Sequence, residues 1–140
     1  MVRQYNKERF MNIVNQCKYK DKDEIEAREF LSTNVETLYT NANHEFAKYY
    51  IVRFDNKIMA TIMLERCGSL IYFVTKDFVP DYAFKLVRAM KRLASATVRR
   101  AGPITTTTAD FYTEALRFDR LAGFELYKVK PRKTIWVHKG

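Results

Sequence analysis

The 140-residue sequence predicts an α/β domain with one mixed, largely antiparallel sheet covered by helices on both faces. Three observations carry this. Residues up to about 40 place apolar side chains at helical spacing, residues 49–75 form three β-rich runs separated by turn signals, and the rest alternates a long basic helix with strand, helix and hairpin. Two helices before an antiparallel meander, followed by a β-α-β-α-β unit, fit one sheet with a helical layer on each side. With 47% hydrophobic and 14% aromatic residues, the chain is too apolar to be disordered. No linker or repeat interrupts it, so the expectation is a single domain over 1–140.

The elements follow in order. MVRQYN can supply a first strand. Phe10, Ile13, Val14 and Cys17 recur at spacings of three and four, which predicts a helix from about Lys7 to Lys18. After the charged interval KYKDKDE, a second helix opens on an acidic turn at Asp23 and Glu24. Its buried stripe is Ile25, Phe30 and Leu31, and it can be extended to Val35 and Leu38. The meander is YYIVRF, IMATIMLE and LIYFVT, with turns at Asp55-Asn56-Lys57 and Cys67-Gly68-Ser69. Pro80 ends it. The long helix DYAFKLVRAMKRLASATVRR carries Phe84, Val87, Met90, Ala94 and Val98, with Leu86 and Leu93 beside them, and stops at Gly102-Pro103. ITTTTA reads as a strand, Phe111–Ala122 as a helix ending at Gly123, and ELYKVK with KTIWVH as a hairpin.

Charge is unevenly spread. The net charge is +9, yet residues 1–79 hold 12 Lys and Arg against 11 Asp and Glu, while residues 80–140 hold 13 against 5. Arg88, Lys91, Arg92, Ser95 and Arg99 fall on one face of the long helix, Arg100 extends it, and no acid lies between Asp81 and Asp110. This face reads either as an anion or partner surface, touching nucleic-acid phosphates or an acidic protein, or as a solvated helix face. Most of the Tyr and Phe residues fall on apolar faces as core, with Tyr127, Trp136 and Tyr82 as candidates for a partner surface.

Several chemistries find no footing. Cys17 and Cys67 have no CxxC and read as buried free thiols, and His44 and His138 lack ligand-spaced companions, so no metal is expected. Ser69 lacks a nucleophile elbow. No apolar run reaches membrane-spanning length and the charged start is unlike a secretory leader, which implies no membrane partner and a cytosol-like compartment.

The segment FYTEALRFDRLAGFELY resembles the penultimate helix and exit of the GNAT acyltransferases, N-x-x-A-x-x-L-Y-x-x-x-G-F, with Ala115, Gly123 and Phe124 on the pattern. The element order resembles that superfamily over about residues 1–137. The resemblance implies an acetyl-CoA-dependent N-acyltransferase scaffold. Two departures accompany it. Tyr112 stands at the family's Asn, and Asp119 at its frequent general-acid Tyr, where a carboxylate of ordinary pKa is a poor proton donor. The family's phosphate loop, [Q/R]-x-x-G-x-[G/A], corresponds to Phe78, Asp81 and Ala83 in FVTKDFVPDYAFKLV, which has no Gly, and Asp81 would repel a pyrophosphate at the helix start.

The strings CGSLIYFVTKDFV and VHKG, with the basic helix and the A-GF exit, further resemble the GNAT-like internal virion proteins of short-tailed bacteriophages. That resemblance implies a catalytically degenerate scaffold, no cofactor, other virion proteins as partners, and a place in the host cytoplasm or the virion. The alternatives left open are an N-acyltransferase binding acetyl-CoA in a non-standard pose, and a nucleic-acid-binding module using the basic helix. For catalysis the candidates are Glu65 on the third strand, Glu45 before the second, and Asp119; the first two also read as ordinary surface carboxylates.

Overall fold

A computed structural model describes residues 1–31, 33–41 and 46–140. Strands β1 (Val2–Tyr5), β2 (Lys48–Phe54), β3 (Lys57–Leu64) and β4 (Leu70–Val74) form an antiparallel sheet in that order. Strands β5 (Ile104–Ala109), β6 (Glu125–Lys130) and β7 (Lys133–His138) form a second antiparallel sheet, ordered β5-β7-β6. The expected single mixed sheet is thus two sheets. Their only parallel contact among the described residues is a bridge between Ser69 and Thr105, where the Thr105 amide donates to the Gly68 carbonyl at 2.9 Å.

The meander stands as expected because its turns have the right chemistry. Asp55 and Asn56 both take positive φ, 52° and 62°, which a two-residue hairpin of primed type requires and which Asp and Asn tolerate. Strand β2 is buried on both faces, which is why YYIVRF reads as a continuous apolar run. Tyr49 and Ile51 face one side, with Phe10, Val14, Val35 and Tyr39; Tyr50 and Val52 face the other, with Leu86, Met90 and Ala94.

Helices α1 (Lys7–Val14), α2 (Asp21–Leu31) and α3 (Val35–Asn41) cover the first face. Helix α1 is capped by the Asn6 side chain, which accepts from the Arg9 amide at 2.9 Å. It stops four residues short of the expected Lys18. Residues 18–20 are needed elsewhere: the Lys20 amide donates to the Val74 carbonyl at 3.0 Å and the Lys76 amide to the Lys18 carbonyl at 2.8 Å. The second expected helix is two helices, and the side chains of Phe30 and Leu31 lie outside the described residues. Ile25 is 36% exposed instead of buried, and α2 turns Asp23 and Ala27 inward.

Helix α4 (Ala83–Ala101) covers the other face and α5 (Thr113–Leu121) packs on the second sheet. The buried line of α4 is Leu86, Met90, Ala94 and Thr97. Phe84, expected in that stripe, is 85% exposed, since it sits two residues before Leu86 and so about 200° around the helix. Gly123 ends α5 at φ 97°, as its position suggested, and His138 packs so closely that an added Cβ would lie 2.8 Å from its Nε2. Trp136 is buried rather than at a surface, Tyr127 is exposed, and the Tyr82 hydroxyl donates to Asp55 at 2.8 Å. Cys67 is exposed and Cys17 half-buried, so neither is the buried thiol expected.

Candidate active site

The two sheets touch at the start of β4 and β5 and part toward Val74 and Ala109. Parting strands leave amides and carbonyls that must find partners. In this fork the chain supplies its own. The Asp23 carboxylate accepts from the Val74 amide at 2.9 Å and from the Tyr112 hydroxyl at 2.6 Å. One turn on along α2, Glu26 accepts from the Ala109 amide at 2.8 Å. From α5, Asp119 accepts from the Tyr72 hydroxyl at 2.6 Å and from the Thr108 hydroxyl. Nearer the closed end, the Thr106 hydroxyl donates to the Leu70 carbonyl at 2.9 Å.

Three carboxylates therefore converge on the fork without a cation paired to any of them among the described residues. Asp119 is fully buried and Asp23 nearly so, while Glu26 is only partly exposed. Burial, the largest influence on each, pushes Asp23 and Asp119 up to about 6 and Glu26 to about 7, against the hydrogen bonds that favour the ionised forms. Like charge from Asp23 and Asp119 adds to the desolvation that raises Glu26. Tyr72 and Tyr112 are raised by burial and by the carboxylates they donate to, so both remain protonated donors.

This alters the sequence expectations. Asp119 is not an ordinary ionised carboxylate. It is a buried acceptor with a raised pKa, closed off from solvent by Tyr72 and Thr108. Glu65 is not at the fork: it follows β3 in the turn to β4, where its amide donates to the Ser69 carbonyl at 2.8 Å. Glu45 and His44 lie outside the described residues. His138 is buried beside Phe124, and no cluster of metal-ligating side chains occurs among the described residues. The sequence reading takes Asp23 only as part of an acidic helix start and does not single out Glu26, although their spacing of three puts both on one face of α2.

The segment that corresponds to the family's phosphate loop lies between β4 and α4. A 3₁₀ turn, Pro80–Tyr82, leads into α4, and Tyr82 gives that helix no side-chain cap. Asp81 is exposed beside these first-turn amides, so a pyrophosphate does not fit there in the manner of a glycine loop. The basic residues of α4 are all exposed, and at about 100° per residue Arg88, Lys91, Arg92 and Arg99 fall within one broad face of the helix, with Arg100 beside it. Arg88 and Arg92 turn toward β1 and β2, with Lys85; Lys91 is close enough to His138 to lower its pKa; and Arg100 lies beside the Tyr50 hydroxyl. Arg99 is exposed near the end of the helix. No helix among the described residues is long and apolar enough to cross a membrane.

Comparison with known proteins places this geometry. No family model matches the sequence, and no curated protein does. Solved structures match throughout. The GNAT domain of S. lividans PAT superposes with a TM-score of 0.71 at 12% identity, over 99% of this chain and 89% of that one. The smu.2055 protein of Streptococcus mutans UA159 gives 0.69 at 9% identity, over 99% and 98%. The aminoglycoside acetyltransferase AAC(6')-Ib, in a complex with paromomycin and acetyl-CoA, gives 0.68 at 15% identity, over 99% and 92%. At these identities the likeness is one of architecture, and it runs the length of the chain: the protein has the GNAT acetyltransferase fold.

Proposed function

We propose that the protein is an N-acyltransferase that moves an acyl group from a CoA-type thioester to an amine, with Glu26 as the general base. The observation that carries this reading is the placement of Glu26, a partly exposed carboxylate at the fork whose pKa is raised to about 7. A base works best when its pKa is near the working pH, and paired carboxylates in a desolvated cleft are a common means of setting it there. Glu26 takes a proton from the acceptor ammonium, the freed amine attacks the thioester carbonyl, and the C–S bond breaks to give an amide and a thiol. The proton held by Glu26 returns to solvent. Support from fold is by analogy: AAC(6')-Ib, of the same fold, is described with acetyl-CoA. The donor's phosphates would need a seat other than the start of α4.

The test is titration calorimetry with acetyl-CoA and free CoA, followed by thiol release with a panel of amines. Micromolar binding, about −8 kcal/mol, and a loss of about a hundredfold in turnover in Glu26→Gln, without a change in donor affinity, are expected. No binding up to millimolar donor sinks the reading.

A second reading is favoured by one observation. The open end of the fork-facing edge, at Val74 and just beyond it, is occupied by the chain itself: Val74 by Asp23 and Lys20, and Lys76 by Lys18. An extended ligand finds no free amide at that end. On this reading the scaffold is non-catalytic and serves through protein contacts, as in the internal virion proteins that the sequence resembles, with the basic α4 as a contact for acidic partners or nucleic acid. Co-purification with virion proteins in the absence of any thioester binding would favour it.

A further inference from the structure

On the face of the first sheet away from the fork-filling helix α2, a groove of about 590 Å³ runs between α4 and strands β1 and β2. Its floor is apolar, formed by Val2, Tyr50 and Leu93. Its rim is cationic: Lys85, Arg88 and Arg92 line it, spaced so that each is three or four residues from the next on α4. Arg88 and Arg92 make no hydrogen bond or ion pair among the described residues, and no carboxylate lines the groove. The Lys85 ammonium sits 5.9 Å from the Phe54 ring centroid. Asp55, on the adjoining β2–β3 turn, accepts from the Tyr82 hydroxyl rather than from any of these cations.

We propose that this groove binds a small amphiphilic anion, a carboxylate on a linear hydrocarbon chain of roughly eight to twelve carbons, a size suited to cavities of this class. The carboxylate sits between the Arg88 and Arg92 guanidiniums, whose planar donors match its two oxygens. The chain lies on Val2, Tyr50 and Leu93, where its removal from water supplies most of the affinity. A nucleic-acid strand fits less well. It needs cations spread along a track, whereas the Met1 ammonium, Lys85, Arg88 and Arg92 are gathered around one apolar floor. This inference does not rest on the acyl-transfer reading, since the groove and the fork share no residue.

The experiment is calorimetric titration of the full chain with decanoate below its micelle concentration, beside decanol, a single-stranded oligonucleotide and anionic vesicles. Decanoate is expected to bind one-to-one, at least about tenfold more tightly than decanol, a difference of about 1.4 kcal/mol. The double variant Arg88→Glu/Arg92→Glu should lose at least about tenfold for decanoate with its melting temperature unchanged. Ala89→Trp, which fills the groove, should block binding as well, and the charge variant stands if the tryptophan variant misfolds. Equal affinity for decanoate and decanol, undiminished binding in the charge variant, or no binding at millimolar decanoate each overturns the proposal. So does an oligonucleotide or vesicle that binds when decanoate does not.

Discussion

The fork and the groove are two charged regions of one small molecule, and they treat charge in opposite ways. In the fork, Asp23, Glu26 and Asp119 are drawn inside and given backbone amides or hydroxyls as donors, with no ion pair among the described residues and only the nearby Lys20 charge acting on Asp23. At the groove, Arg88 and Arg92 stay in water with no hydrogen-bond or ion-pair partner among the described residues. Desolvation acts on the first set, so the acids acquire raised pKa values. The difference teaches that the fork's charges are fixed into the fold. The groove's charges are free to meet something else.

The largest expected effect separates the two regions by stability. Asp119→Ala strands the Tyr72 and Thr108 hydroxyls inside the protein, and unfolding by denaturant should show a loss of about 3 kcal/mol. Arg88→Ala, by contrast, removes no partner and should stay within about 0.5 kcal/mol of the parent. Equal losses in the two variants would mean that the fork network contributes nothing beyond a surface charge.

The next effect is a pH dependence. A carboxylate whose folded pKa lies above its unfolded value binds its proton more tightly in the folded state. Its contribution is then best below the unfolded pKa, near 4, and declines as pH rises through the folded value of about 6 to 7. Thermal unfolding should therefore show the protein losing on the order of 5 kcal/mol between pH 5 and pH 8 from this cluster of three. His138, whose pKa is lowered by burial, acts in the opposite direction as pH falls below about 6.5. The clean measurement is the difference between parent and Asp23→Asn. The amide still accepts from Val74 and can donate to the Tyr112 oxygen, so the variant should lose less stability on the way to pH 8. A parallel profile for the two proteins would remove Asp23 from the titrating set.

These two regions were unequally legible in the sequence. The strands, the turn at Asp55-Asn56, the long basic helix and the Gly123 stop follow from local rules of periodicity and backbone preference, and they stand within a residue or two. The split into two sheets does not follow, because strand order alone leaves open whether β4 and β5 pair along their length or only at Ser69 and Thr105. Without the split there is no fork, and without the fork Asp23 and Glu26 read as an ordinary acidic helix start. Ile25 looked like the buried residue of α2 for the same reason: hydrophobicity argued for it, but the Val74 and Ala109 amides needed acceptors, and the helix turns its carboxylates toward them. Helix α4 was found by its pattern, yet its exact facing was not, since Phe84 and Leu86 are both apolar and only packing against Tyr50 and Val52 decides between them.

The smallest effect lies at the rim of the fork, where the comparison is sharpest because a cation does meet an acid. The Lys22 ammonium lies 3.0 Å from both Glu114 oxygens and 5.7 Å from the Tyr112 ring centroid, and both side chains are well exposed. Its hydrogen bond lowers the Glu114 pKa, while Glu26, deeper in the same region, is raised. Lys22→Met keeps the stem over Tyr112 and removes the charge. Because water and salt already screen the pair, stability should change by no more than about 0.5 kcal/mol. Carboxyl NMR titration should show Glu114 returning upward to its ordinary range with Glu26 unmoved. A matching rise at Glu26 would show that the rim cation reaches into the fork, and that the acids inside are held at their pKa values by a partner as well as by burial.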